Sequence, residues 1–192
     1  MDLQRHSYGQ LPSSISTSSS NSNNSSGSSM SSSGYQKITG AALKRLQKEL
    51  KSFVSSPPDG LELDEETLQG NDLGIWKVKM AGPSNTLYDG EQFVLQFKFN
   101  VKYPFDSPEV TFVGAPEDIP VHQHIYSNGH ICLSILTEDW SPALSVESVC
   151  LSIISMLASA KEKSRPPDDA FYIKTCSKNP KKTHWWYHDD SV

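Results

Sequence analysis

The chain has little cysteine, no apolar run near the ~18 residues that span a bilayer, and little concentrated positive charge. Each shortage excludes something. The three cysteines, at 132, 150 and 176, are odd in number and widely spaced, so they do not make a disulfide framework. With no secretory leader pattern at the N-terminus, a reducing compartment is expected. A formal net charge of −5 argues against nucleic acid as the main partner, because phosphate binding needs clustered Lys and Arg. The one basic run, Lys178-Asn179-Pro180-Lys181-Lys182, reads as a solvated face. Without a spanning segment, no membrane partner is expected either. Hydrophobic residues are 36% of the chain, and the shortfall has a location. Residues 11–34 are mostly Ser, Asn, Thr and Gly and hold almost nothing to bury. Such a stretch cannot offset the roughly 1–2 kcal/mol per residue of backbone entropy lost on folding, so it is expected to stay disordered. The organisation expected is a Ser-rich tail over 1–34 and one domain over 35–192, of ordinary single-domain size.

What is present begins with a helix. In ALKRLQKELKSFV, Leu43, Leu46, Leu50 and Phe53 recur at spacings of three, four and three, a single apolar stripe. Lys44, Arg45, Lys48, Glu49 and Lys51 fall on the other faces. Thr39 is placed to cap the helix, and Pro57-Pro58 with Asp59-Gly60 ends it. Strands follow. Trp76, Val78 and Met80 alternate with Lys77 and Lys79, and Phe93, Leu95, Phe97 and Phe99 alternate with Val94, Gln96, Lys98 and Asn100. Val110-Thr111-Phe112-Val113 makes a further strand and Leu61-Glu62-Leu63 an edge strand. Short strands joined by turns, with no helix between them, predict an antiparallel sheet in an α+β fold.

Between Ala115 and Pro142 the periodicity disappears, and a long irregular stretch inside a compact domain is usually functional. Ser145 then caps a second helix with Val146, Val149, Cys150, Ile153, Ile154 and Leu157 as its buried stripe. Lys161 to Pro167 breaks that helix, and Asp168 or Asp169 caps a short third one through Phe171 and Thr175. The last stretch, 181–192, is aromatic and charged and shows no clear period.

Cys150 lies on an apolar helical face and Cys176 in a helical pattern, so both read as structural. Cys132 lies in a polar, His-rich loop, where a thiolate forms and attacks best if it is partly exposed. For the run from His122 to Cys132 three chemistries compete. A zinc site would use His122, His124, His130 and Cys132, but the spacing matches none of the usual short patterns and Asn128-Gly129 has to turn. A Cys–His hydrolase needs a base oriented by a third group, which spacing alone does not exclude. The third is a carrier thiol.

Four ordered segments bear on that choice: LKRLQKEL at 43–50, YPFDSPEV at 103–110, SNGHICLSIL at 127–136 and EDWSPALSVESVCLSI at 138–153. On these the chain resembles the ubiquitin-conjugating enzymes from about Leu43 to about Tyr172. The HQH of the loop, the KEKSRPPDD insertion and the KNPKKTHWWYHDD ending are most similar to W-type members, which transfer ubiquitin to protein N-termini. The resemblance implies the family's α+β fold: a four-stranded antiparallel sheet flanked by an N-terminal helix, a central helix and a short C-terminal helical segment. It implies Cys132 as the residue that takes ubiquitin from the activating enzyme as a thioester, in a shallow groove. Lys44, Arg45, Phe105, Pro142 and Ala143 match the surface that binds the activating enzyme and RING-type ligases. No metal or bound cofactor is implied, ATP being consumed upstream on the activating enzyme. The location implied is cytoplasm or nucleus.

Two departures from the family pattern stand out. Most members carry His-Pro-Asn where this chain has His122-Gln123-His124, and that Asn is assigned to the oxyanion. His124 is then left as oxyanion donor or general base. The acidic residue that activates an incoming lysine falls at Asp168 or Asp169. Both departures count against lysine as the acceptor. Near pH 7 roughly 10% of α-amines are neutral against about 0.04% of lysines, so an enzyme without lysine-deprotonating groups still finds a usable nucleophile in a protein N-terminus. A catalytically silent binding module of the same fold is the alternative class, and an intact SNGHICLSIL around Cys132 counts against it. Trp185, Trp186 and Tyr187 cover the acceptor groove, stay mobile or pack on the domain.

Overall fold

A computed structural model of the chain describes residues 37–70 and 72–182. The Ser-rich tail and Trp185, Trp186 and Tyr187 lie outside the described residues. Helix α1, Gly40–Ser55, opens the fold, and strand β1, Leu61–Leu63, follows. A one-turn helix α2, Glu65–Gln69, leads into β2, Ile75–Ala81, β3, Gln92–Lys98, and β4, Glu109–Phe112. Helices α3, Val146–Ala158, and α4, Asp169–Thr175, complete the set. The strands form one antiparallel sheet in the order β1-β2-β3-β4.

The register explains why the alternation was legible. Leu61 faces Met80 and Leu63 faces Val78; Trp76, Val78 and Met80 lie opposite Phe97, Leu95 and Phe93; Leu95 and Phe97 lie opposite Phe112 and Val110. Every one of these is buried, so one sheet face is continuous core while Lys77, Lys79, Gln96 and Thr111 take the other. Ala42, Leu46 and Phe53 of α1 and Val146, Val149, Cys150, Ile153 and Leu157 of α3 join the same core. Burying each large apolar side chain stabilises by about 1.5–3 kcal/mol, which is why these two helices are held on the sheet.

Several sequence expectations need correction. Glu49 belongs to the buried side of α1, not to its charged face, while Leu43 and Leu50 are half-buried. Thr39 stands at the N-cap but caps with its backbone only; its side chain makes no capping bond. Ser145 does cap α3, its hydroxyl accepting from the Ser148 N–H. Helix α2 went unread because five residues are too few for a 3.6-residue period. It is held instead by Thr67, whose Oγ1 accepts from the Lys77 N–H at 2.8 Å. Among the described residues no helix is long and apolar enough to cross a membrane.

Candidate active site

The irregular stretch after β4 contains two single 3-10 turns, Pro116–Asp118 and Ser134–Leu136. Between them the chain doubles back at Asn128-Gly129. Gly129 has φ +85°, and a Cβ there would lie 2.1 Å from the Phe112 carbonyl oxygen, so only glycine fits. Its own carbonyl accepts from the Phe112 N–H at 2.9 Å, which docks the turn on β4. Beyond the turn Ile131 enters the core, and the Cys132 N–H donates to the His124 carbonyl at 2.8 Å. Cys132 and His124 are thereby side by side on neighbouring backbone segments.

Cys132 is 7% exposed, not the partly exposed loop thiol expected from the sequence. The reason is tertiary. It clusters with Tyr126 and Tyr172, whose rings stack at 3.7 Å, and Cys176 packs against the same group. Tyr172 comes from α4 and is fixed by its hydroxyl, 2.8 Å from Nδ1 of the buried His130. The Cys176 sulfur also accepts from Asn128 Nδ2 at 3.3 Å. Cys150 lies 0% exposed in the core, and burial pushes its thiol well above the ordinary range.

The two histidines of the HQH run part company. His122 is 2% exposed; its Nδ1 accepts from the His124 N–H at 3.0 Å, and the ring is also hydrogen-bonded to the Met156 backbone in α3. Burial, helped by the neighbouring His124, lowers its pKa to about 4. A neutral, anchored ring of this kind holds the loop and is not placed to exchange protons near pH 7. His124 is half-buried, its ring centroid 5.4 Å from that of His122. His130 is buried, and burial holds its pKa below the ordinary histidine value. Among the described residues no three His, Cys, Asp or Glu side chains are grouped to hold a metal ion.

Asp168 and Asp169 reach the same loop, but neither side chain is a plain helix cap. Tyr126 donates its hydroxyl to Asp168 at 3.1 and 3.3 Å; burial, then the charge of Asp168, raises the Tyr126 pKa. Asp169 accepts from the Ser127 N–H at 2.7 Å and from the Ser127 hydroxyl at 2.9 Å. Both carboxylates fasten α4 to the segment that leads into Cys132.

The five surface residues form two linked groups. Arg45 reaches from α1 to donate to the Pro142 carbonyl at 2.9 Å and the Leu144 carbonyl at 2.8 Å, so the loop bearing Pro142 and Ala143 is tied to the helix bearing Lys44. The Trp140 indole donates to the Pro104 carbonyl at 2.8 Å, which joins that loop to the turn bearing Phe105. Phe105 is 78% exposed, a large apolar side chain held out to solvent. Between α1 and the loop lies a cavity of about 330 Å³ bordered by Arg45, Lys48, Phe53, Ala143 and Val146.

Residues 45–188 match the sequence profile of a family described as "Ubiquitin-conjugating enzyme". The chain is 65% identical over 148 residues to "Probable ubiquitin-conjugating enzyme E2 W-A" of Danio rerio, covering 77% of this chain and 96% of that protein. It is 62% identical over 155 residues to "Ubiquitin-conjugating enzyme E2 W" of Caenorhabditis elegans, covering 81% of this chain and all of that one. Among solved structures, ubiquitin-conjugating enzyme E2 UbcA1 from Agrocybe aegerita superposes with TM-score 0.69 at 43% identity, covering 74% of this chain and 100% of that one. The chain belongs to the ubiquitin-conjugating enzyme family.

As a ubiquitin-conjugating enzyme it is a transferase, and W-type members are among its relatives. Family membership implies ubiquitin, an activating enzyme and a ligase as partners. Sequence reasoning missed several residues that shape the site of this ubiquitin-conjugating enzyme. Tyr126 and Tyr172 cluster with Cys132, and no local pattern signalled it, because Tyr172 comes from α4. Glu49 binds Arg45, Tyr103 and the Val146 N–H, a role whose partners lie far away in sequence.

Proposed function

We propose that Cys132 carries ubiquitin and passes it to the α-amino group of a protein substrate, in concert with a RING-type ligase. The Cys132 thiolate attacks the carbonyl carbon of the thioester presented by the activating enzyme, and the activating enzyme's thiolate leaves. The substrate amine then attacks the new thioester carbonyl. A C–N bond forms, the C–S bond breaks, Cys132 departs as thiolate, and the amine loses one proton to solvent. His124, whose carbonyl holds the Cys132 N–H, is assigned to the oxyanion of the tetrahedral intermediate; such a donor is worth roughly 3–4 kcal/mol.

One observation carries the choice of acceptor. The two carboxylates nearest the loop, Asp168 and Asp169, already accept from Tyr126 and Ser127. Both are committed to holding α4 on the loop, and a lysine ammonium at neutral pH has almost no free amine to offer without a base. An α-amine needs no such base. Lys44, Arg45, Phe105, Pro142 and Ala143 supply the surface for the activating enzyme and ligase. The enzyme needs no cofactor of its own, ATP being spent upstream, and works in cytoplasm or nucleus.

The test is discharge of the Cys132-linked thioester, read by mass spectrometry, against free lysine and a lysine-free peptide with a free α-amine. Discharge to the peptide alone is expected. Equal discharge to lysine would overturn the acceptor assignment.

A further inference from the structure

The segment that brings His122 and His124 to the thiol, residues 119–125, is built with little regular secondary structure. Its backbone carbonyls need donors from elsewhere, because a buried carbonyl without one costs about as much as a lost hydrogen bond. Ile119, Pro120 and Ile125 are all buried. One side chain serves all three. Arg165 Nη1 donates to the Pro120 carbonyl at 2.6 Å and to the Ile125 carbonyl at 3.2 Å, and Nη2 donates to the Ile119 carbonyl at 3.0 Å.

The geometry points to Arg165 as a positioning residue for the transfer step, a clasp that closes the 119–125 loop and so sets His124 against Cys132. This rests on the role proposed above for His124. The fork spans both ends of the loop: Ile119 and Pro120 lie before the two histidines and Ile125 directly after them. Inside the clasp the remaining bonds run inward. The Tyr88 hydroxyl donates to the Val121 carbonyl at 2.8 Å, His122 Nδ1 accepts from the His124 N–H at 3.0 Å, and the His124 carbonyl holds the Cys132 N–H at 2.8 Å. Gln123, at the centre, is exposed, and its φ is not locked as a proline's is. The Ile125 N–H closes the turn over Gln123 by donating to the His122 carbonyl at 3.0 Å, and Arg165 is the side chain that reaches both ends of the longer segment. Arg165 comes from the linker between α3 and α4, two residues after Lys163, which pairs with Glu91, and three before Asp168, which holds Tyr126. The linker is pinned on both sides. Lysine does not replace such a group, since a point ammonium lacks the planar fork that meets three carbonyls at once.

The test separates positioning from mere stability. In the full chain, Arg165→Met is expected to lower kcat for discharge to the α-amine peptide about tenfold or more. The KM for peptide and the charging by the activating enzyme stay within about twofold. Arg165→Lys falls between wild type and Arg165→Met. The double variant Arg165→Met with His124→Ala is expected to be no slower than His124→Ala alone, because both remove one device. Multiplying losses, or a kcat within about twofold of wild type in Arg165→Met, would overturn the inference. A wild-type rate in His124→Ala would overturn the role of His124 and this inference with it. A slow His124→Ala beside a normal Arg165→Met overturns the clasp alone. If Arg165→Met does not fold, amide hydrogen exchange in Arg165→Lys decides: faster exchange at the His124 and Cys132 N–H groups is expected, and unchanged exchange there overturns the clasp.

Discussion

Replacing Glu49 by Ala tests how the docking face is built. The carboxylate sits 9% exposed between α1 and the start of α3. It pairs with Arg45, accepts the Tyr103 hydroxyl at 2.7 Å and accepts the Val146 N–H at 2.9 Å. Burial, and then the charge of Glu49, push the Tyr103 pKa far above the ordinary tyrosine value, as expected of a hydroxyl that cannot lose its proton there. Alanine orphans two buried donors, Tyr103 Oη and Val146 N–H, while Arg45 keeps its bonds to the Pro142 and Leu144 carbonyls. At about 1–3 kcal/mol for each unsatisfied donor, the expected loss is about 2–6 kcal/mol. For a domain of this size that lowers Tm by roughly 5–20 °C. Glu49→Gln keeps one carbonyl acceptor, enough for one of the two donors, and should lose about half as much. Thermal unfolding followed by the fluorescence of Trp76 and Trp140, with thioester charging assayed on the same samples, reads both effects. A Tm within about 2 °C of wild type for Glu49→Ala would refute the argument that this carboxylate joins the two helices.

Cys132→Ala should abolish ubiquitin charging in a gel-shift assay while leaving the domain folded, at a stability cost of about 1 kcal/mol, because the sulfur belongs to a small cluster with Tyr126 and Tyr172 apart from the main core. Stability should fall with acid through His122. Its folded pKa, about 4, lies below the ordinary 6.5, so the unfolded chain binds the proton first. That contribution is complete above about pH 6.5 and is lost as pH drops towards 4, by about 2–3 kcal/mol; His122→Gln should flatten the slope of Tm against pH over this window. Phe105→Ala should leave Tm within about 1 °C, because the ring is 78% exposed, yet slow ligase-stimulated discharge several-fold; an unchanged stimulated rate would remove Phe105 from the docking surface.

How much was legible follows from the range of each interaction. The alternation in β2 and β3 was readable because the period of two is a local property, and the register then placed every core-facing residue opposite another. The stripe of α1 was readable for the same reason, but Glu49 was assigned to the wrong side. A carboxylate three residues after Leu46 looks solvated until Tyr103, 54 residues on, and Val146, 97 residues on, supply its partners. Asp168 and Asp169 were found as acidic residues near the site, and their attachment to Tyr126 and Ser127, 42 residues away, was not.

The amino-acid sequence by itself determined the periodic elements, the glycine turn before Cys132 and, through its ordered motifs, the family, since each is written in neighbouring residues. Only the tertiary structure decided that Cys132 lies under Tyr172, that His122 is an anchor while His124 adjoins the thiol, and that Arg165 closes the loop. Those outcomes depend on hydrogen bonds and ring contacts between separate segments, with 45 residues separating Arg165 from Pro120, and no local pattern encodes them.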